Sequence, residues 1–155
     1  MEVSVRPAET ADLDRLLEFE QGVIGTERSF DATLKREPIR YYDMEAMLAA
    51  PHIRVVVAEV DGKLIGSGYA RIEDSKPYLT HEKHSYMGFM FTAPEYRGKG
   101  VNQKIIEALE HWSRSQGVTD MRLEVYIENT PAIRAYEKIG FSGSILKMRK
   151  SIAEE

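Results

Sequence analysis

The chain has 155 residues, 43% hydrophobic and 30% charged, which suits one domain with its own core and excludes a compositionally disordered polypeptide. Twenty-one Lys and Arg against 25 Asp and Glu give a net charge of −4, which argues against a protein that binds duplex nucleic acid or an anionic membrane by neutralising phosphates. Zero cysteines exclude disulfides, thiolate nucleophiles and cysteine-bound metals, and the four scattered histidines offer no metal-ligand spacing.

In chain order, Val3 and Val5 alternate with polar residues as a first strand. Thr10 then caps a helix whose Leu13, Leu16 and Leu17 share one face. Residues 22–40 read as irregular, mixed in charge and rich in aromatics, before a short helix over 42–50 that ends ahead of Pro51. Segments 53–60 and 63–72 flank Asp61-Gly62, a strong signal for a tight hairpin. A polar loop precedes a strand over 85–91, which Pro94 ends. Val101, Ile105, Ala108, Leu109 and Trp112 recur at helical spacing opposite charged residues, and that helix stops at Gly117. A strand over 121–126, a helix over 130–139 opened by Pro131 and closed by Gly140, and a last strand over 145–149 complete the reading.

No apolar run approaches the roughly 20 residues of a bilayer span. Residues 1–7 lack a secretory pattern, so the expected location is cytoplasmic, in one domain covering 1–155.

The chemistry concentrates in Arg97-Gly98-Lys99-Gly100, between a strand and the clearest helix. Glycines let the backbone approach a ligand, and the first turn of a helix points unpaired N–H groups at it, an arrangement suited to a pyrophosphate. Arg97 and Lys99 add fixed positive charge. A plain tight turn with solvated cations would show the same four letters. The phosphate-binding P-loop and the dinucleotide-binding glycine fingerprint are both absent.

Tyr96-Arg97-Gly98-Lys99-Gly100-Val101-Asn102 resembles the Gln/Arg-x-x-Gly-x-Gly/Ala acetyl-CoA loop of the GNAT superfamily of N-acetyltransferases. Leu123-Glu124-Val125, followed by Asn129 to Phe141, is similar to the family's Asn-x-x-Ala-x-x-x-Tyr-x-x-x-Gly-Phe segment. The resemblance covers about residues 85–141; the first half matches only in layout. It implies an α/β (α+β) fold with a mixed, mostly antiparallel central sheet flanked by helices. It also implies acetyl-CoA as cosubstrate without a metal, and a primary amine of a small molecule, peptide or protein as acceptor. A homodimer accords with family habit. Two rivals stand beside this: a non-catalytic acetyl-CoA-binding regulatory domain, and an ordinary α/β binding domain with a fortuitous glycine turn. Asn102 departs from the family's Gly or Ala, either as a hydrogen-bond donor to the cofactor or as a helix cap that touches nothing.

An alkyl amine of pKa about 10.4 is only about 0.04% neutral at pH 7, so attack on a thioester needs a proton acceptor. Glu124, Glu73, Glu82, Glu27 and the loop histidines 81 and 84 are on offer, without a decisive signal. For the departing thiolate, a phenol of pKa about 10 is a suitable acid. By resemblance this is Tyr136, which shares a helix face with Asn129 and Ala132 through spacings of three and four. Asn129 would reach the pantetheine or pyrophosphate. Met90, Phe91 and Thr92 match the family's bulged strand, whose backbone N–H groups pair with pantetheine and polarise the carbonyl.

Overall fold

The computed structural model describes residues 1–154. Five strands lie in chain order across one sheet: β1 (Ser4–Pro7), β2 (Ile53–Val60), β3 (Lys63–Asp74), β4 (Lys83–Thr92) and β5 (Met121–Arg122). All neighbours are antiparallel except β4 and β5, so the expected mixed, mostly antiparallel sheet is found. Asp61 and Gly62 both take positive φ, 50° and 78°, the backbone that turns β2 tightly into β3.

Four helices cover the sheet: α1 (Leu13–Arg28), α2 (Met44–Ala49), α3 (Val101–Ser115) and α4 (Thr130–Lys138). Because strand side chains alternate, two apolar layers form. Val56, Ala58, Ala70 and Met87 meet Ile105, Leu109 and Trp112 of α3 on one face. Val55, Val57, Tyr69 and Phe89 meet Leu16, Phe19, Met44 and Met47 of α1 and α2 on the other. No helix among the described residues is long and apolar enough to cross a membrane.

The structure corrects four sequence expectations. Thr10 does not cap α1: a 3-10 turn over Thr10–Asp12 precedes it, and the Asp12 carboxylate accepts from the Glu9 amide at 2.7 Å. The helix continues through residues 22–28, expected to be irregular. Gly22 reads as a breaker, yet a Cβ there would sit 2.5 Å from Phe91 Cε2, so glycine is what lets α1 lie close against β4. Strand β5 has two residues rather than the six expected over 121–126, since it parts from β4 after Arg122. Residues 145–149 form no strand; Ile145 and Met148 are exposed, with no neighbouring strand to pair with.

Candidate active site

The parting of β4 and β5 creates the cleft. Only Ser85↔Met121 and Tyr86↔Arg122 are in register; beyond them the chain over 123–127 diverges and β4 has no partner on that edge. On its other edge β4 carries a bulge, for Ser67 opposes Phe91 while Tyr69 opposes Gly88. Phe89 absorbs the extra residue with φ 57°. The Ser67 hydroxyl donates to the Phe89 carbonyl at 3.1 Å, and the Tyr69 ring lies so close over Gly88 that a Cβ would meet its Cε1 at 2.6 Å. Gly88 is therefore required by packing, and beyond the bulge the strand continues through Met90, Phe91 and Thr92.

At the end of β4 the Arg97 Nε donates to the Thr92 carbonyl at 3.1 Å, tying the loop to the strand. Gly98 and Gly100 have φ of 74° and 81°, and a Cβ at either would meet no atom within 4 Å. This left-handed backbone leads straight into α3, whose first closing hydrogen bond runs from the Lys104 amide to the Gly100 carbonyl at 3.2 Å. The amides of Val101, Asn102 and Gln103 are left without helical acceptors. Lys99 Nζ lies 5.8 Å from the Tyr96 ring centroid. Open space, free amides and two cations fit a pyrophosphate.

Three expectations are narrowed. Val101 is 1% exposed and belongs to the core, so only its backbone N–H is available. The Phe91 ring stacks on Phe19 at 4.7 Å and likewise leaves only backbone. Asn102 is not a cap: Gly100 holds that position, and Asn102 is the second helical residue.

The α4 helix opens at Asn129, whose Oδ1 accepts from the Ala132 amide at 3.4 Å, leaving its side-chain N–H₂ free to donate. Two turns on, the Tyr136 ring borders the α3-side cluster together with Met90 and Leu123 and meets Phe141 edge to face at 5.9 Å. Its hydroxyl makes no hydrogen bond among the described residues. Burial, reinforced by the Glu27 carboxylate, raises it above the ordinary phenol value. It stays protonated at neutral pH.

On the α1 side, tyrosines dominate. Tyr42 meets Tyr69 at 5.6 Å and Phe89 at 5.5 Å. Burial raises Tyr42 and Tyr86, and the neighbouring carboxylates Glu27 and Glu124 add to it respectively. The cations here are engaged. Arg71 Nε donates to Glu73 at 2.7 Å, Arg40 Nη1 to Glu20 at 3.3 Å and Arg149 Nη2 to Asp31 at 3.2 Å. Burial acts to raise the Glu73 carboxyl, but the bonds from Arg71 and His84 outweigh it and hold it low. His84, expected in a loop, lies in β4 and is held between Ser75 at 2.8 Å and Glu73 at 3.1 Å, and the loop residue His81 lies 2.8 Å from Arg122, so both histidines are engaged elsewhere. The Glu82 backbone carbonyl pairs with the Ser75 amide at 2.8 Å, at the β3–β4 turn. Glu27 and Glu124 alone among the five carboxylates Glu20, Glu27, Asp31, Glu73 and Glu124 have no cation within salt-bridge distance among the described residues.

Glu20, Asp31, Tyr126 and Arg149 carry weight that sequence reasoning missed.

Residues 21–141 match the model of the "Acetyltransferase (GNAT) family". The chain belongs to that family. As a family member it is an acetyl-CoA-dependent acetyltransferase. The enzyme is 28% identical over 106 residues to an aminoglycoside N(6')-acetyltransferase type 1 of Salmonella typhimurium, covering 64% of this chain and 69% of that one. It is 26% identical over 145 residues to an N-alpha-acetyltransferase of Sulfurisphaera tokodaii, covering 90% and 80%. In fold it is similar to a predicted acetyltransferase of Clostridium acetobutylicum solved with acetyl-CoA, with a TM-score of 0.75, 17% identity and 97% of each chain covered.

Proposed function

We propose that the acetyltransferase moves acetyl directly from acetyl-CoA to a primary amine in the cleft between β4 and residues 123–127, with Tyr136 as the acid. The Tyr136 hydroxyl carries this reading: it is unbonded among the described residues, kept protonated by burial and Glu27, and sits on the helix that Asn129 opens. Acetyl-CoA would be held by its pyrophosphate on the 97–103 loop, through backbone N–H groups with Arg97 and Lys99, and by its pantetheine along Met90, Phe91 and Thr92. Asn129 would donate from its free amide.

The neutral amine attacks the thioester carbonyl carbon. A C–N bond forms, the C–S bond breaks, the amine's proton leaves to a carboxylate, and the thiolate takes the Tyr136 proton. Glu27 and Glu124 are the acceptors available for the amine's proton, and the pH profiles of kcat in Glu27→Gln and Glu124→Gln distinguish them. The same two unneutralised carboxylates, among tyrosine rings that favour cations, support a positively charged acceptor such as an aminosugar, a polyamine or a peptide N-terminus. The names of the Salmonella and Sulfurisphaera relatives fit that range.

Thiol release from acetyl-CoA across a panel of amines tests the reading, and a cysteine-free protein contributes no background. Tyr136→Phe is expected to lower kcat by about 10²-fold, the usual contribution of a general acid, with the acetyl-CoA KM unchanged. Unchanged kcat would remove Tyr136 from the acid role.

A further inference from the structure

We propose that Asp31 and Arg149 form a latch that positions the acceptor-side wall of the cleft and thereby sets affinity for the amine; this rests on the acceptor reading above. Neither residue is placed to touch the reacting atoms, and both act through Tyr126 and the loop after α1.

The geometry converges on one carboxylate. Asp31 follows the end of α1 and is 8% exposed, an unusual degree of burial for a loop aspartate. Its Oδ1 accepts from the Thr33 amide at 2.9 Å, from the Thr33 hydroxyl and from Arg149 Nη2 at 3.2 Å, and its Oδ2 accepts from the Tyr126 hydroxyl at 2.9 Å. These donors lie on separate segments: the loop itself, the chain leaving β5, and the C-terminal arm. Bonds from Thr33, Tyr126 and Arg149 together hold the carboxyl well below the usual range, so it is charged wherever the enzyme works.

Each segment leads to the cleft. The Tyr126 ring stacks on Phe30 at 6.1 Å, and its carbonyl accepts from the Asn129 amide at 2.9 Å, where α4 begins. Asp31 therefore ties Tyr126, on the chain leaving β5, to the loop after α1, one helical turn from Glu27. Arg149 supplies the countercharge and bonds Thr33 Oγ1 at 3.2 Å as well. Among the described residues it makes every side-chain hydrogen bond and ion pair that ties residues 142–154 to the rest of the chain. An arm whose Ile145 and Met148 are 91% and 84% exposed gains no anchorage from packing, so its one built contact serves the loop.

The test measures steady-state kinetics and amide hydrogen exchange in wild type, Arg149→Ala, Arg149→Lys and Asp31→Asn. Arg149 is more than half exposed, so its pair has the strength of a screened ion pair, and Arg149→Ala is expected to raise the amine KM about fivefold. Its kcat and acetyl-CoA KM should stay within about twofold, and Arg149→Lys should recover part of the loss, since it keeps charge without the fork. Exchange of amides 29–43 should quicken while α3 amides hold. An unchanged amine KM together with unchanged loop exchange overturns the latch. A parallel rise in both KM values, with α3 exchange quickened, overturns it in favour of general destabilisation. If wild type releases no thiol with any amine, the acceptor reading itself fails and the proposed affinity role falls with it, while the exchange data still decide whether Arg149 orders the loop.

Discussion

Removing the Glu20 carboxylate tests how the acceptor-side wall is held. Glu20 is 0% exposed on α1, and its Oε2 accepts from the amides of Tyr41 and Tyr42 at 3.0 and 2.9 Å, while its Oε1 meets Arg40 at 3.3 Å. Hydrogen bonds to a charged group contribute about 1.5–3 kcal/mol each. Relief of the carboxylate's own desolvation offsets part of the loss, so Glu20→Ala is expected to destabilise by about 2–4 kcal/mol. At about 2–4 °C per kcal/mol for a chain of this size, the melting temperature falls by about 5–15 °C. Arg40 is 59% exposed, and its ion pair adds little. The decisive variant is Glu20→Leu. If the carboxylate served only the ion pair, an apolar replacement would be neutral or stabilising. Because two backbone donors lose their acceptor, Glu20→Leu is expected to lose as much as Glu20→Ala, whereas Glu20→Gln keeps one oxygen for both amides and loses about 1 kcal/mol. Urea unfolding gives the stabilities, and thiol release gives the amine KM, expected to rise as Tyr41 and Tyr42 loosen. A Leu variant as stable as wild type would refute the anchoring argument.

Gly100→Ala forces a side chain onto φ 81°, which is expected to destabilise by about 1 kcal/mol and, by shifting the first α3 amides, to raise the acetyl-CoA KM in thiol-release assays. In Gly68→Ala the new Cβ meets Ile105 Cγ2 at 2.7 Å and Met90 Sδ at 2.9 Å; overpacking of about 1–3 kcal/mol should appear in the urea midpoint. Asp12 accepts from Arg6 at 2.9 and 3.0 Å and from the Glu9 amide, and the Arg6 bonds lead in holding its carboxyl below 3.8. Since the folded value lies below the unfolded one, this stabilisation is present above pH 3.8 and is lost as pH falls through the folded value. Urea midpoints measured against pH should therefore fall more steeply below that point in wild type than in Asp12→Asn.

What the sequence determined alone was local. The α3 stripe, the positive φ of Asp61, Gly62, Gly98 and Gly100, and the Asn129–Pro131 opening of α4 arise from interactions within about a turn of chain, where residue type decides conformation. The glycine loop and the Tyr136 helix face were legible for that reason. Tertiary structure decided the rest. Gly22 signals a break until Phe91 lies against it; residues 123–126 have strand character until the parting from β4 leaves them unpaired. Glu20 and Asp31 look like ordinary surface acids until distant backbone and side chains enclose them. Asp31 lies 95 residues from Tyr126 and 118 from Arg149, and no local pattern encodes a bond that only the folded chain brings within reach.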